Sequence, residues 1–178
     1  FTTRGVVETE RTTEMNRRLG VALGAFVLWT AITIIGENIT TGGEMTLLDG
    51  VTSGLGWTGL AAAGFILAVV LWQGWRDVGL SRWADAAGWR LAWLPMVYVV
   101  GGLAVATFLG LPPATVLLLI LLNTLLVGFS EELMFRGVLL QAFRHATSIW
   151  LAVLLTSVAF GAVHSLNVFV TGDLRAAL

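Results

Sequence analysis

The chain has 178 residues, 57% of them hydrophobic and only 12% charged, and its mean hydropathy is +0.86. These values lie well outside the soluble globular range and indicate a membrane protein. There is no cysteine, which excludes disulfides, Cys-ligated zinc and thiol catalysis. The ten basic residues are all Arg and are scattered, and the formal net charge is −1, so no nucleic-acid partner is expected.

In chain order, residues 1–18 read as a polar cytoplasmic segment and 19–178 as a transmembrane domain. The N-terminal segment has no short basic region of the signal-peptide kind, so no cleavable leader is expected. Five apolar runs approach the ~20 helical residues that a bilayer core requires. They cover about 19–36, 55–73, 91–109, 114–135 and 149–170. None alternates as an outer-membrane strand would. The expected fold is therefore all-α, a polytopic helical bundle with about five spans present. Pro112 and Pro113 open the fourth span. The linker RDVGLSRWADAAGWR interleaves Trp and Arg and reads as interfacial. Gly20, Gly24 and Gly64 are read as close-packing positions between helices, and most of the eight Trp residues as interfacial anchors. Arg4, Arg11, Arg17 and Arg18 precede the first span, three Arg separate spans two and three, and Arg144 follows span four. The linkers after spans one and three carry none, so the N-terminus is expected in the cytoplasm. The sequence opens on Phe1 and ends on GDLRAAL in what reads as a connecting segment, so a truncated chain lacking C-terminal spans is expected.

Chemistry concentrates in GFSEELMFRG, residues 128–137. Ionisable groups inside a span are costly and mark function unless they are paired or face water. At about 100° per residue, Glu132 and Arg136 lie about 40° apart on one helical face and suit an ion pair, whereas Glu131 points about 100° away. The next span carries His164 in FGAVHSLN, with Phe160 four residues earlier on the same face. In a hairpin turning near 146–148, Glu131 and His164 lie at about 22 and 27 Å from the turn, a matched depth. A carboxylate facing a neutral imidazole is a general acid/base arrangement: Glu131 takes a proton from water while His164 orients the nucleophile or stabilises the oxyanion. Taken singly, the acidic cluster is an interfacial depth anchor and the histidine a helix–helix hydrogen bonder. Their coincidence on consecutive spans argues for a site. Residues 137–144 are expected to leave the bilayer as an interfacial helix that brings water closer to Glu131. No His-Glu-x-x-His, Gly-x-Ser-x-Gly or intramembrane Asp pair is present.

EELMFR resembles the Glu-Glu-x-x-x-Arg motif, and FGAVH the Phe-x-x-x-His motif, of the CPBP family: type II CAAX prenyl endopeptidases and bacteriocin-processing or immunity (Abi-like) proteins. The resemblance implies an intramembrane glutamic endopeptidase, formerly described as a metalloprotease, acting on membrane-associated or prenylated peptides in a bacterial inner membrane. Glu131 would activate water, Glu132 and Arg136 would support the site, and His164 would assist. Phe160 and Asn167 would contact substrate. No cofactor is certain and a divalent metal is left open; membrane lipid and a membrane-associated or lipidated peptide are the implied partners. A further family motif, His-x-x-x-Asn on a later span, is absent: Ile149 stands four residues after His145 and Val168 four after His164. The truncated chain alone is accordingly expected to be inactive. A noncatalytic immunity or scaffold protein and a proton-coupled transporter are the alternatives.

Overall fold

The computed structural model describes residues 3–41, 54–74, 78–79 and 93–166. Every regular element among them is helical: α1 (Thr3–Thr41), α2 (Trp57–Gln73), α3 (Trp93–Leu109), α4 (Ala114–Glu131), a π-helix (Glu132–Leu139), α5 (Leu140–Ala146) and α6 (Ile149–Leu166). The all-α bundle expected from the sequence is what forms.

Three of these helices are long and apolar enough to cross a membrane: residues Glu8–Ile39 of α1, the run Ala114–Ala146 through α4, the π-helix and α5, and α6. The two further expected spans correspond to shorter apolar helices, α2 and α3. At 17 residues each they reach about 26 Å, just under the ~30 Å hydrocarbon core. α1 is helical from Thr3 onward, so residues 3–18 run without a break into the first apolar stretch.

Local chemistry sets the boundaries. Gly110, at φ +90°, stops α3 in a conformation that side chains disfavour. Pro113 caps α4, its fixed φ of −51° already suited to helix entry. At the hairpin, Thr147 turns extended and its hydroxyl donates to the Phe143 carbonyl at 2.9 Å. The expected turn near 146–148 is thus where the chain reverses into α6.

Packing runs α1 on α2, α2 on α4, and α5 on α6, with the π-helix touching α1, α2 and α6. The π-helix supplies the middle of the core: Leu133, Met134, Phe135, Val138 and Leu139 are buried with Ala22, Ala25 and Trp29 of α1, Ile66 and Val70 of α2, and Val163 of α6. Residues 137–144 do not form a separate interfacial helix. They continue α4 in line and bury Val138, Leu139 and Ala142, because the same apolar face that packs on α1 and α6 extends through them.

One expectation about packing is corrected. Among the described residues nothing lies within 4 Å of a Cβ added at Gly20, Gly24 or Gly64, so they are not close-packing positions between the described helices. That role falls to Gly36, where a Cβ would meet Thr58 Cγ2 at 2.7 Å, and Gly59, where it would meet Leu126 at 3.2 Å. Among the tryptophans, Trp57, Trp72, Trp93 and Trp150 are exposed as anchors would be, but Trp29 is buried in the core. Trp75, Trp83 and Trp89 lie outside the described residues.

Candidate active site

The site forms where α4 passes into the π-helix. A π-helix bonds each N–H to the carbonyl five residues back and recurs at functional positions. Here it begins at Glu132, so the two adjacent carboxylates fall on either side of the change. Glu132 and Arg136 project from the one exposed strip of the π-helix and form an ion pair at 2.6 Å (Nη1 to Oε1). Glu131 faces another way, toward α6, where His164 Nε2 stands 4.0 Å from its Oε1. The Glu131 side chain is 26% exposed against 59% for Glu132, so the former is the shielded carboxylate.

His164 is held from two directions. Its Nδ1 lies 3.0 Å from the Phe160 carbonyl; a carbonyl only accepts, so Nδ1 carries the hydrogen, and in the neutral ring Nε2 is an acceptor turned toward Glu131. The Phe160 ring lies 4.2 Å from the imidazole, centroid to centroid. Phe160 in turn meets Phe135 edge-on at 4.9 Å, and Phe135 meets Trp29 edge-on at 5.6 Å. Trp29 Nε1 donates to Ser130 Oγ at 2.7 Å. A closed circuit of contacts thus runs from the residue before Glu131, through α1, back to His164. The buried Phe135 at its centre belongs to the π-helix.

Beside this circuit a cleft of about 620 Å³ opens between the π-helix and α6. Glu132 and Arg136 line one wall, Thr156, Ser157 and Phe160 the other, and the Val78–Gly79 turn closes one end. Glu131 and His164 sit next to the cleft walls in sequence without lining it themselves. Asn167, expected to contact substrate, lies outside the described residues.

Two donors, Glu131 and His164, do not make up the three or four protein ligands of a usual zinc site. Among the described residues no group of three or more His, Asp or Glu comes together that could hold a metal ion. The described residues therefore do not fit a resident metal.

Residues 113–177 match the family model described as type II CAAX prenyl endopeptidase Rce1-like. Over this segment, about a third of the chain, the protein is similar to that family. The Rce1-like segment holds both Glu131 and His164, together with the π-helix and the whole hairpin. Trp29 and the Val78–Gly79 turn lie outside it, so the Rce1-like part is completed by residues from the N-terminal half of the chain. No curated protein and no solved structure matches the chain.

Three participants escaped the sequence reading. Ser130 and Trp29 are separated by 101 residues, and nothing local announces their bond. Asn123, in the middle of the apolar run LLNTLL, was legible as a polar group inside a span. Its carboxamide accepts from the Gly56 N–H and donates to the Gly54 carbonyl, both at 2.9 Å, tying α4 to the start of α2.

Proposed function

We infer that this protein is an intramembrane endopeptidase that hydrolyses a peptide bond in membrane-associated or prenylated peptides, with Glu131 as general base. The observation that carries the reading is the approach of Glu131 to His164 on facing helices of an Rce1-like segment. Their 4.0 Å separation is too long for a direct hydrogen bond and suits one bridging water. Both facing atoms are acceptors, so that water donates one hydrogen to each and turns its lone pairs outward. Glu131 removes a proton as the water oxygen attacks the scissile carbonyl, then returns it to the amine as the C–N bond breaks. His164 orients the water. The Glu132–Arg136 pair keeps the second carboxylate occupied, and the cleft beside Phe160 receives the peptide.

Water access follows from the helix's own length. The Ala114–Ala146 run has 33 residues, about 50 Å, and exceeds the ~30 Å hydrocarbon core. The polar side chains of Gln141 and Arg144 mark its watery end, and Glu131 lies about 15 Å deeper. With the Arg distribution, this supports a cytoplasmic N-terminus and a site open to the cytoplasmic side of a bacterial inner membrane.

In the full-length protein, Glu131→Ala and His164→Ala are each expected to abolish cleavage of a prenylated reporter at normal expression. Unchanged turnover in either variant removes the assigned role. Proton-driven uptake without new peptide termini would instead make the protein a transporter.

A further inference from the structure

On α6 the cleft wall is one stripe of the helix. Val153, Thr156, Ser157 and Phe160 line it, and His164 continues the stripe beyond them. Seven residues separate Ser157 from His164, about two turns, which leaves the two side chains about 20° apart around the axis and about 10 Å apart along it. The opposite wall, from Glu132 to Gln141, follows Glu131 in the chain. Both walls therefore run from the Glu131–His164 pair toward the hairpin turn, and the cleft with them.

Most polar side chains of this cleft are committed. Glu132 and Arg136 hold each other, and Gln141 accepts from Arg144 at 3.2 Å. The Thr156 hydroxyl donates to the Ala152 carbonyl at 2.8 Å, which is how a hydroxyl on an apolar helix ordinarily satisfies itself. Ser165, outside the cleft, does the same with the Gly161 carbonyl at 2.9 Å. Ser157 does not: among the described residues its hydroxyl has no hydrogen-bond partner. A hydroxyl left open between apolar walls is costly, unless an acceptor arrives with the ligand.

The acceptor that a peptide brings is its backbone carbonyl. Drawn between apolar walls, a peptide loses water from its carbonyls and needs donors in return; a hydrocarbon tail offers no acceptor at all. We propose that Ser157 is a positioning residue whose hydroxyl donates to a backbone carbonyl of the bound peptide, about three extended residues from the scissile bond, and so fixes which bond reaches Glu131. This contact deepens the endopeptidase function proposed above, and rests on it for the presence of a peptide in the cleft.

The test uses the full-length protein and a prenylated reporter peptide, with a series in which each backbone amide in turn is replaced by an ester, a weaker carbonyl acceptor. Affinity is read in the Glu131→Gln background, where turnover does not intervene, and cleavage positions by mass spectrometry in the active enzyme. An ester about three residues from the cut is expected to weaken binding about fivefold. Ser157→Ala weakens binding of the parent peptide equally and abolishes the effect of that ester. In the active enzyme Ser157→Ala raises KM about fivefold, changes kcat less than about twofold, and adds products cut at a neighbouring bond. Ser157→Thr, which keeps the hydroxyl, restores KM and the single cut. Ser165→Ala removes a hydroxyl from the same helix outside the cleft and changes neither. An ester profile that is the same with and without Ser157, or an unchanged KM and single cut in Ser157→Ala, overturns its role and leaves the peptidase reading standing. Saturable peptide binding without new termini from the wild type overturns the peptidase reading instead, and the ester series still decides Ser157. Absence of saturable peptide binding overturns both.

Discussion

The bond between Trp29 and Ser130 is where the circuit around the site is most exposed to test. Trp29→Phe keeps an aromatic ring against Phe135 and removes only the indole N–H; Ser130→Ala removes the acceptor. Both side chains are nearly sealed, at 3% and 2% exposure, and the contact is short at 2.7 Å. Side-chain hydrogen bonds inside membrane proteins average about 0.6 kcal/mol and reach about 1.7. Sealing and short distance place this one toward the upper figure, so a double-mutant cycle should return a coupling of about 1–1.7 kcal/mol. The measurement is reversible unfolding in mixed micelles for the two single variants, the double variant and the wild type. Since Ser130 adjoins Glu131, the single variants should also lower kcat on the order of tenfold with KM unchanged, about 1.4 kcal/mol of misplacement. A coupling below about 0.3 kcal/mol, or a change confined to KM, would refute the claim that α1 holds Glu131, the proposed general base, in position.

Asn123→Leu should cost about 1–3 kcal/mol in the same unfolding assay, because it strips two part-buried hydrogen bonds from the start of α2; a neutral result would mean that water replaces them. Gly36→Ala should destabilise by about 1–3 kcal/mol through overpacking against Thr58. Gly20→Ala and Gly24→Ala, with open space around each, should instead stabilise by up to about 1 kcal/mol through helix propensity. The opposite order would show that α1 and α2 meet along a different face.

Apolar run length alone revealed the helices, since the bilayer imposes one scale on every span. The division of labour between Glu131 and Glu132 was legible as well: positions four apart on a helix face the same way, and Glu132 does meet Arg136. The approach of Glu131 to His164 followed from a hairpin whose turn could be placed and whose limbs could be counted. What stayed hidden depends on contacts distant in sequence or on a change of backbone pattern. Trp29 reads like any other interfacial Trp until α1 is laid against α4. The glycines were misread because a small residue marks a close approach only if a neighbour comes near, and the neighbour of α1 comes near at Gly36, not at Gly20 or Gly24. The π-helix left no trace in residues 132–139, whose composition serves an α-helix equally well.

That widened turn has a genetic corollary. A single-residue deletion within 132–139 would let the backbone relax to ordinary α-helical bonding, and the two flanking helices would then be rotated and drawn in relative to each other. Glu131 would swing off His164 while the hydrophobic content stayed almost the same. Such a lesion should yield a protein that inserts and accumulates normally yet is inert, a phenotype that point substitutions on the lipid-facing surface would not reproduce.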